Sequence, residues 1–298
     1  MILVAGGTGV LGSRLVDRLL DRGLRVRILT RDASRVPQRD RDDLDVVVGD
    51  VRVRENVAQA MTGVDTVVSA IHGFAGPGAV SPASVDRDGN ANLVEGARAV
   101  SASVVLMSVI GASASSPMEL FRMKHAAEQH LRASGVAWTI VRANPFLETW
   151  VGLLQMTAGK SGRPLVFGRG DNPISFTGAD DVAALIERVV TNSSTRGQTL
   201  EISGATSLTL NQLAVAVQKA SGRNGGVRHV PRPALRAMAM LLRPVKPELA
   251  RQARAALLMD SIDLRFDSTA VREGFPDLPS TTPADLLMDG VNRSPSRC

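Results

Sequence analysis

Short runs of hydrophobic residues alternate with segments of helical periodicity through the first half of the chain. The runs are MILVA, LRVRILT, LDVVVGD, VDTVVSA, SVVLMS and VAWTIVR, and helices are predicted near residues 10–23, 84–100 and 117–134. β-Branched runs separated by amphipathic helices are typical of a parallel sheet with helices on both faces, so the pattern predicts a doubly wound α/β fold. Gly23 and Gly135 follow helical segments and precede strands, where a left-handed cap is expected.

The pattern loosens after Pro145. The elements predicted beyond it are short strands within 163–177, a helix over 179–192, a strand over 198–202 and a helix over 208–221 that opens at Ser207 or Thr209. We therefore predict a nucleotide-binding domain in residues 1–150, which also receives about 170–202, and a smaller, mainly helical substrate-binding or lid region in residues 151–298.

Residues 230–262 predict two helices interrupted by Pro244 and Pro247. Their Met and Leu side chains are interpreted either as core or as a partly mobile apolar lid. Asp180 and Asp181 open a predicted helix, and we interpret them as its N-cap and as partners of its dipole.

The composition narrows the class of protein. Of the 298 residues 44% are hydrophobic and 21% charged, and no apolar run approaches the ~18 residues that span a membrane. The first strand begins at once, so no secretory signal is expected, and the single Cys298 excludes internal disulfides and cysteine metal clusters. These features favour a cytoplasmic protein without a metal site or a membrane partner.

The net charge of +6 does not indicate a nucleic-acid partner, because the excess consists of scattered Arg, with four Lys and no basic stretch interleaved with aromatic residues. The expected partner is a hydrophobic small molecule, bound by a monomer or a weak homo-oligomer.

The segment GGTGVLG at residues 6–12 stands between the first predicted strand and the first predicted helix. Strand, tight turn and helix at the start of a βαβ unit are the context in which such a motif binds a dinucleotide. The first glycine permits the turn, Gly9 leaves room for the pyrophosphate, and Gly12 lets the helix pack closely. Two templates fit, one beginning at Gly6 and one at Gly7. Both share Gly9 and Gly12, so the motif predicts dinucleotide binding without choosing the cofactor.

The end of the second strand favours NADP(H). The sequence ILTRD places Thr30 at the strand end, followed by Arg31 and Asp32. A carboxylate at this point binds the ribose 2′-hydroxyl, whereas an arginine binds a 2′-phosphate. We predict that Arg31 holds the phosphate, with Arg35 as a second cation; contact of Asp32 with the ribose is the competing interpretation. Asp50, at the end of VVVGD, is a candidate partner for the adenine or a cap for the next helix.

Eight segments in order over roughly residues 1–220 carry a family resemblance: GGTGVLG, VRILTRD, VVVGDV, VDTVVSAI, VDRDGNANLVEGA, VVLMSVIGA, FRMKHAAEQHLRASGVAWTIVRANPF and SFTGADDVA. The chain resembles the atypical and extended short-chain dehydrogenase/reductase superfamily, in its NmrA-like branch of isoflavone-reductase-like and quinone-reductase-like enzymes. The resemblance implies a Rossmann-like domain with NADP(H) as cofactor. The predicted cofactor contacts are Gly6, Thr8, Gly9, Val10, Leu11, Gly12, Thr30, Arg31, Arg35, Asp50, Val51, Ala70, Ile71, Ser108, Lys124, Ala143, Asn144, Pro145 and Phe146.

The catalytic residues of that superfamily are only partly present. A Ser after the fifth strand, a Tyr, and a Lys four residues beyond the Tyr act together there. Ser108 matches the Ser and Lys124 the Lys, but Leu120 stands where the Tyr is expected and the chain contains no Tyr. The resemblance implies that Ser108 and Lys124 are catalytic, that Lys124 binds the nicotinamide ribose, and that residues 143–146 line the nicotinamide pocket.

Reduction without the tyrosine leaves three sources for the proton, which a positioned acid supplies with a gain of ~10²–10⁴-fold. Ser108 or Lys124 could donate directly or through water, or a histidine such as His72 or His125 could donate. Alternatively, the substrate provides the acidity, as does a quinone or an aromatic ketone beside a phenol, which asks little of the protein beyond orientation. We favour the last.

The resulting hypothesis is an NADPH-dependent ketoreductase or quinone reductase of a hydrophobic aromatic carbonyl compound. Certain ketoreductases of aromatic polyketide pathways, as in antibiotic biosynthesis, belong to this branch and lack the triad. The alternative is a non-catalytic regulatory protein that senses NADP(H), because NmrA-like proteins also include redox sensors and a motif alone does not establish activity.

Overall fold

The structure, a computed structural model, describes residues 1–37, 41–223 and 225–292, and the side chains to residue 288. Cys298 lies outside the described residues. Within them the strands are β1 (Ile2–Ala5), β2 (Val26–Thr30), β3 (Leu44–Val48), β4 (Thr66–Ser69), β5 (Ser103–Val109), β6 (Trp138–Ala143), β7 (Leu165–Phe167), β8 (Thr199–Ile202) and β9 (Arg228–Val230).

The helices of the described residues are α1 (Val10–Asp21), α2 (Arg54–Ala60), α3 (Asn90–Ala99), α4 (Glu119–Ala133), α5 (Leu147–Ala158), α6 (Ala179–Thr191), α7 (Leu210–Ala220), α8 (Arg232–Leu241), α9 (Pro247–Met259), α10 (Thr269–Gly274) and α11 (Pro283–Asn292). Short 3₁₀ turns lie between several of them. A wider, π-type helical segment, Pro82–Gly89, leads directly into α3. The single helix predicted near residues 84–100 is therefore two segments of different pitch.

Seven strands form one parallel sheet in the order β3-β2-β1-β4-β5-β6-β8. The doubly wound α/β prediction is confirmed. The strand order reverses direction between β1 and β4, and in such sheets a ligand binds outside the carboxyl ends of the strands at this reversal. The loops that follow β1 and β4 are thus the first place to look for a site.

Both faces of the sheet are covered. Leu3 and Ala5 of β1 belong to a buried cluster with side chains of α2, α3 and α4, while the intervening Val4 is fully buried although it points to the opposite face. Helix α1 contacts β1 and β2, and Arg18 and Arg22 of α1 pair with the buried Glu187 of α6. Gly23 and Gly135 have φ of +71° and +76°, which confirms the predicted left-handed caps.

Contacts divide the described residues into two units, one within 1–143 and 182–202 and the other within 144–181 and 203–292. The first unit contains the seven-stranded sheet. In the second, α5 packs on α7 and β7, the parallel pair β7 and β9 forms a small sheet, and α8 packs along α9. The assignment of residues 151–298 to substrate binding stays a prediction.

Helix α5 was not predicted from the sequence, which shows no clear polar face there. Its buried positions Leu147, Val151 and Leu154 have helical spacing, but Trp150 and Leu153 between them are also apolar, so the period is masked. Thr209 caps α7 in a reciprocal pair with Gln212, which decides between the two predicted caps. No helix of the described residues has both the length and the apolar character to cross a membrane.

Candidate functional site

Glycine is required at Gly6, in the loop between β1 and α1, and at Gly12, in the first turn of α1, for different reasons. Gly6 has φ of +88°, and a Cβ there would lie 2.6 Å from the carbonyl oxygen of Ala70. A Cβ on Gly12 would collide with the carbonyl of Gly6. Gly7 has no positive φ, so the template that begins at Gly6 describes the turn.

Gly9 is different, because the nearest atom to a Cβ there is the Gly6 oxygen at 3.3 Å and the residue is exposed. It forms the N-cap of α1, where no described side chain caps the helix and the first turn contains no acidic residue. Val10 is exposed beside it, whereas Leu11 is buried. The open backbone and the free positive end of a 12-residue helix fit a pyrophosphate.

Arg31 and Arg35 lie at the end of β2, beside this loop. Both side chains are exposed, and the Arg35 guanidinium lies 3.4 Å from the carbonyl oxygen of Thr8. The Asp32 carboxylate accepts bonds from the Ser34 amide at 2.9 Å and the Ser34 hydroxyl at 2.6 Å, and the buried Thr30 hydroxyl also bonds Asp32. Asp32 therefore shapes the turn, and contact of Arg31 and Arg35 with a 2′-phosphate stays a prediction.

Asp50 and Val51 follow β3, the edge strand next to β2, and Ala70 follows β4, which borders the reversal of strand order. Asp50 holds Arg52 through its backbone amide and guanidinium. The hydrogen bond from Arg52 lowers the pKa of Asp50, and the charge of Arg31 adds to the effect, so Arg31 stands near the end of β3. The backbone oxygen of Val51 accepts a bond from Asn92 at 2.9 Å. Asp50 is thus part of the loop's own structure, which leaves contact with an adenine as a prediction.

Lys124 is buried inside the first unit. Its ammonium donates to the backbone oxygens of Ile71 and Met107, both at 2.9 Å, and lies 3.0 Å from Oδ1 of Asp86 in an ionic contact without hydrogen-bond geometry. The lysine thereby joins the ends of β4 and β5 to the segment before α3. The ammonium thus makes two hydrogen bonds and one ionic contact with protein atoms, and its contact with a ribose stays a prediction.

Asp86 is fully buried, and besides its ionic contact with Lys124 its Oδ2 accepts a hydrogen bond from the amide of Gly73 at 2.8 Å. Asn90 donates to the backbone oxygen of Asp86 at 2.7 Å and accepts from the Ser69 hydroxyl at 2.5 Å. The loop after β4, which begins at Ala70, is therefore held at Ile71 by Lys124 and at Gly73 by Asp86.

His72 lies in that loop. The side chain is solvent-exposed, yet the protein around it lowers the pKa of the imidazole by desolvation; the nearby Asp86 charge opposes this and the Lys124 charge reinforces it. The imidazole is therefore neutral at neutral pH and is a weak acid there. His125 is half-buried, and its Nδ1 makes no hydrogen bond within the described residues.

Ser108 is fully buried and its hydroxyl donates to Oε1 of Glu128 at 2.5 Å. Glu128 also accepts two bonds from Arg142, at 2.8 and 2.6 Å, and Arg142 reaches Glu201 at 3.0 Å. The hydrogen bonds that Arg142 donates to Glu128 raise the pKa of its guanidinium. We call Ser108, Glu128, Arg142 and Glu201 the buried charge network; it links β5, α4, β6 and β8.

The segment predicted to line the nicotinamide pocket lies at the end of β6. Ala143 accepts a bond from the Ile110 amide at 3.1 Å in the first unit. In the second unit, the buried Asn144 donates to the Leu264 oxygen at 2.9 Å, Pro145 accepts from the Thr177 amide at 3.0 Å, and Phe146 and Thr177 form a parallel bridge. Both Pro145 and Phe146 are half-buried.

Asp180 and Asp181 lie inside the first turn of α6, which begins at Ala179, so neither is the predicted N-cap. Asp181 is fully buried and accepts bonds from the amide and hydroxyl of Thr281, at 3.0 and 2.6 Å. Desolvation raises the pKa of its carboxyl, and the bonds from Thr281 oppose the rise. Its partner could not be predicted because it is 100 residues away.

Sequence reasoning missed Asp86, Asn90, Glu128 and Arg142. A signal was present in each helical segment. Asp86 and Asn90 are four residues apart, as are Lys124 and Glu128, so each polar pair repeats at the spacing of one helix face. Polar pairs on a face that otherwise packs against a sheet indicate a buried network.

The chain is similar to several known proteins. The family model described as NAD(P)H-binding matches residues 6–193, more than half of the chain. An NAD(P)H azoreductase of Xenophilus azovorans is 29% identical over 225 residues, which are 75% of this chain and 74% of that protein. A photosystem II assembly factor of Synechocystis is 26% identical over 239 residues, 80% of this chain and 72% of that protein.

Among solved structures, an NADPH-dependent quinone oxidoreductase of Escherichia coli, crystallised with NADPH, has a similar fold. Its TM-score is 0.77 at 21% identity, and the match covers 98% of this chain and 100% of that one. At this level of identity the likeness concerns the fold.

Proposed function

The chain belongs to the NAD(P)H-binding family, and from this premise we propose that it is an NADPH-dependent reductase of a hydrophobic aromatic carbonyl compound, a quinone or a phenolic ketone. Family membership confirms the predicted dinucleotide cofactor and the resemblance drawn from the motifs. When bound, NADPH supplies a hydride. The residues of this chain bind and orient the cofactor and limit which substrates can accept that hydride.

The observation that carries the proposal is the state of the polar side chains expected to donate a proton. The Ser108 hydroxyl donates a hydrogen bond to Glu128, and the Lys124 ammonium donates to the backbone oxygens of Ile71 and Met107 and lies in ionic contact with Asp86. His72 is neutral at neutral pH, because desolvation lowers its pKa. Ser108, Lys124 and His72 are thus not free acids that could replace the missing tyrosine, which leaves His125 as the remaining candidate from the sequence and supports a substrate whose reduced form is a stabilised anion that solvent can protonate.

In this proposal Lys124 and Ser108 act as positioning residues. Lys124 fixes the carbonyl of Ile71 and thereby the loop after β4, and Ser108 anchors the end of β5 to α4 through Glu128. Strand β4 borders the reversal of strand order, where a ligand is expected, and β5 is the next strand of the sheet. In this proposal the two residues that match the superfamily's catalytic set fix the loop after β4 and the end of β5.

The choice of NADPH over NADH is supported by the end of β2. The Asp32 carboxylate is bonded to Ser34, whereas Arg31 and Arg35 present exposed guanidinium groups. An arginine binds a phosphate through two parallel charge-assisted bonds, so the pair suits a 2′-phosphate.

The test is NADPH oxidation by the purified protein with a panel of quinones, phenolic aromatic ketones and, because of the azoreductase relative, azo dyes. We expect turnover of the quinones or phenolic ketones, and turnover of simple ketones at least ~100-fold slower, since these need the absent acid. Tight NADPH binding without turnover of any compound would contradict the reductase proposal.

A regulatory function is the second candidate, and the match to a photosystem II assembly factor favours it, since that name describes no reaction. A sensor must distinguish the two redox forms of its ligand. Calorimetric titration should then give affinities for NADP⁺ and NADPH that differ at least ~10-fold, a coupling of about 1.4 kcal/mol. Equal affinities together with quinone turnover would exclude the sensor.

A further inference from the structure

Helices α8 and α9 present an apolar tip to solvent. We define the α8–α9 tip as residues 240–246, the end of α8 and the turn into α9. Its side chains Met240, Leu241 and Val245 are 71%, 66% and 75% exposed. Three large apolar side chains exposed within six residues form a patch of the kind that marks an interaction site.

The base of the two helices is well packed. Leu235, Ala239 and Ala253 form a buried cluster, against which Phe167 and Val230 of the small sheet pack. The tip is therefore held out by a hydrophobic core of its own and does not belong to a loose loop.

The same region is strongly basic. Residues 228–259 contain a single acidic residue, Glu248, and seven cations: Arg228, Arg232, Arg236, Arg243, Lys246, Arg251 and Arg254. Arg243 and Lys246 are exposed on either side of Val245 and form no ion pair within the described residues. The apolar patch is thus bordered by positive charge.

Most backbone amides at the turn of the tip are bonded within the protein or absent. Pro244 and Pro247 have no amide proton. The amide of Leu242 donates to the Met238 oxygen at 3.1 Å, and the amides of Val245 and Lys246 donate to the Leu242 oxygen at 3.1 and 2.7 Å. Because an unpaired amide is costly in an apolar medium, these bonds lower the cost of leaving water.

We propose that the α8–α9 tip docks the protein on an anionic lipid bilayer. Met240, Leu241 and Val245 enter the boundary between headgroups and acyl chains, and Arg243 and Lys246 lie among the anionic headgroups. The prediction of no membrane partner rested on the lack of a spanning run, which surface binding does not need. A second copy of the chain is a poorer occupant, because its own tip brings the same positive charge.

The test is sedimentation of the full chain with vesicles of phosphatidylcholine alone or with about 30% phosphatidylglycerol. We expect binding to the anionic vesicles, at least ~10-fold weaker binding to the neutral ones, and release by salt, since screening weakens the attraction. The tip variant M240S/L241S should bind anionic vesicles at least ~10-fold more weakly than the wild-type chain.

The matched control is M156S/M288S, which removes two apolar side chains of similar exposure, 71% and 60%, outside the α8–α9 tip. It should bind vesicles as the wild type does, and circular dichroism should show both variants folded. Equal binding by the two double variants, or no binding of the wild-type chain, would overturn the proposal. A change in solution mass of the tip variant without vesicle binding would instead assign the tip to a contact between copies. The docking surface does not depend on reductase activity, so either proposal can fail alone.

Discussion

The buried charge network of the first unit and the α8–α9 tip of the second use arginine in opposite ways. Arg142, with a side chain 19% exposed, is held by two carboxylates, and Glu128 has no exposure. At the tip, Arg243 is exposed beside apolar side chains that water also reaches. A buried charge is tolerated only with partners and so fixes geometry, whereas an exposed charge contributes little to stability and is available to another molecule. The paired charges of the first unit thus fix side chains in place, whereas the exposed charges of the α8–α9 tip are available to a partner.

The largest expected effect comes from removing the centre of the network. Glu128→Ala deprives Arg142 of two bonds and Ser108 of its acceptor, and we expect the free energy of unfolding to fall by about 3 kcal/mol. Urea denaturation measures the change. Arg236→Ala, which removes an exposed cation from α8, should change it by less than about 0.5 kcal/mol. Similar losses of unfolding free energy in the two variants would contradict the view that buried charges fix the structure while exposed ones contribute little to stability.

Glycine gives a second contrast. In Gly12→Ala the new Cβ collides with the carbonyl of Gly6, so we expect a loss of stability of about 2 kcal/mol and NADPH binding weakened at least ~10-fold. In Gly152→Ala, within α5, nothing lies within 4 Å of the new Cβ, and the better helix former should raise stability by about 0.5–1 kcal/mol. Thermal denaturation and NADPH fluorescence titration of the pair check the opposite signs.

The exposed arginines Arg31 and Arg35 after β2 differ from both regions, because in the proposed function an exposed charge binds one defined group, the 2′-phosphate. Arg31→Ala should weaken NADPH by ~10- to 100-fold and leave NADH within ~2-fold, as expected for the loss of charge-assisted bonds to one phosphate. Arg25→Ala removes an exposed arginine just before the other end of the same strand and should change neither affinity. Equal losses for NADPH and NADH in Arg31→Ala would instead favour Asp32 as the ribose contact.

The smallest effect concerns His72. Its pKa is lowered in the folded protein, so the unfolded chain binds more protons as the pH falls through the ordinary value of about 6.5. The wild-type protein should therefore lose stability on acidification through that range, and His72→Gln should lose less. Urea midpoints at a series of pH values measure the difference; parallel pH profiles would contradict the lowered pKa.

Much of the fold could be predicted because it depends on local pattern. The β-branched runs and intervening amphipathic segments predicted the strands of the sheet, and its parallel order is confirmed. Helix α5 was missed because apolar residues such as Leu153 and Met156 also lie on its less buried faces, and the prediction of one helix near residues 84–100 was wrong in detail because a π-type helical segment precedes α3. Periodicity detects a helix only when its buried and exposed faces differ in polarity.

The site was predictable in part. The glycine segment and the arginines after β2 are local features; the structure has Gly6 at the turn and the Arg35 guanidinium 3.4 Å from the Thr8 carbonyl oxygen, and their contact with a cofactor stays a prediction. The partners of Ser108 and Lys124 were beyond prediction: Glu128 is 20 residues from Ser108, and Ile71 is 53 residues from Lys124. Only the packing of α4 on the sheet brings these groups within bonding distance.

The sequence by itself determined that a dinucleotide-binding α/β domain is present and that no tyrosine can serve as its acid. The tertiary structure decided what the remaining polar residues do. Ser108 and Lys124 stand where the motif expects them, but the Ser108 hydroxyl is bonded to Glu128 and the Lys124 ammonium is paired with Asp86. The physical reason is that a buried hydroxyl or ammonium must be paired, and its partner is whichever group the fold brings next to it.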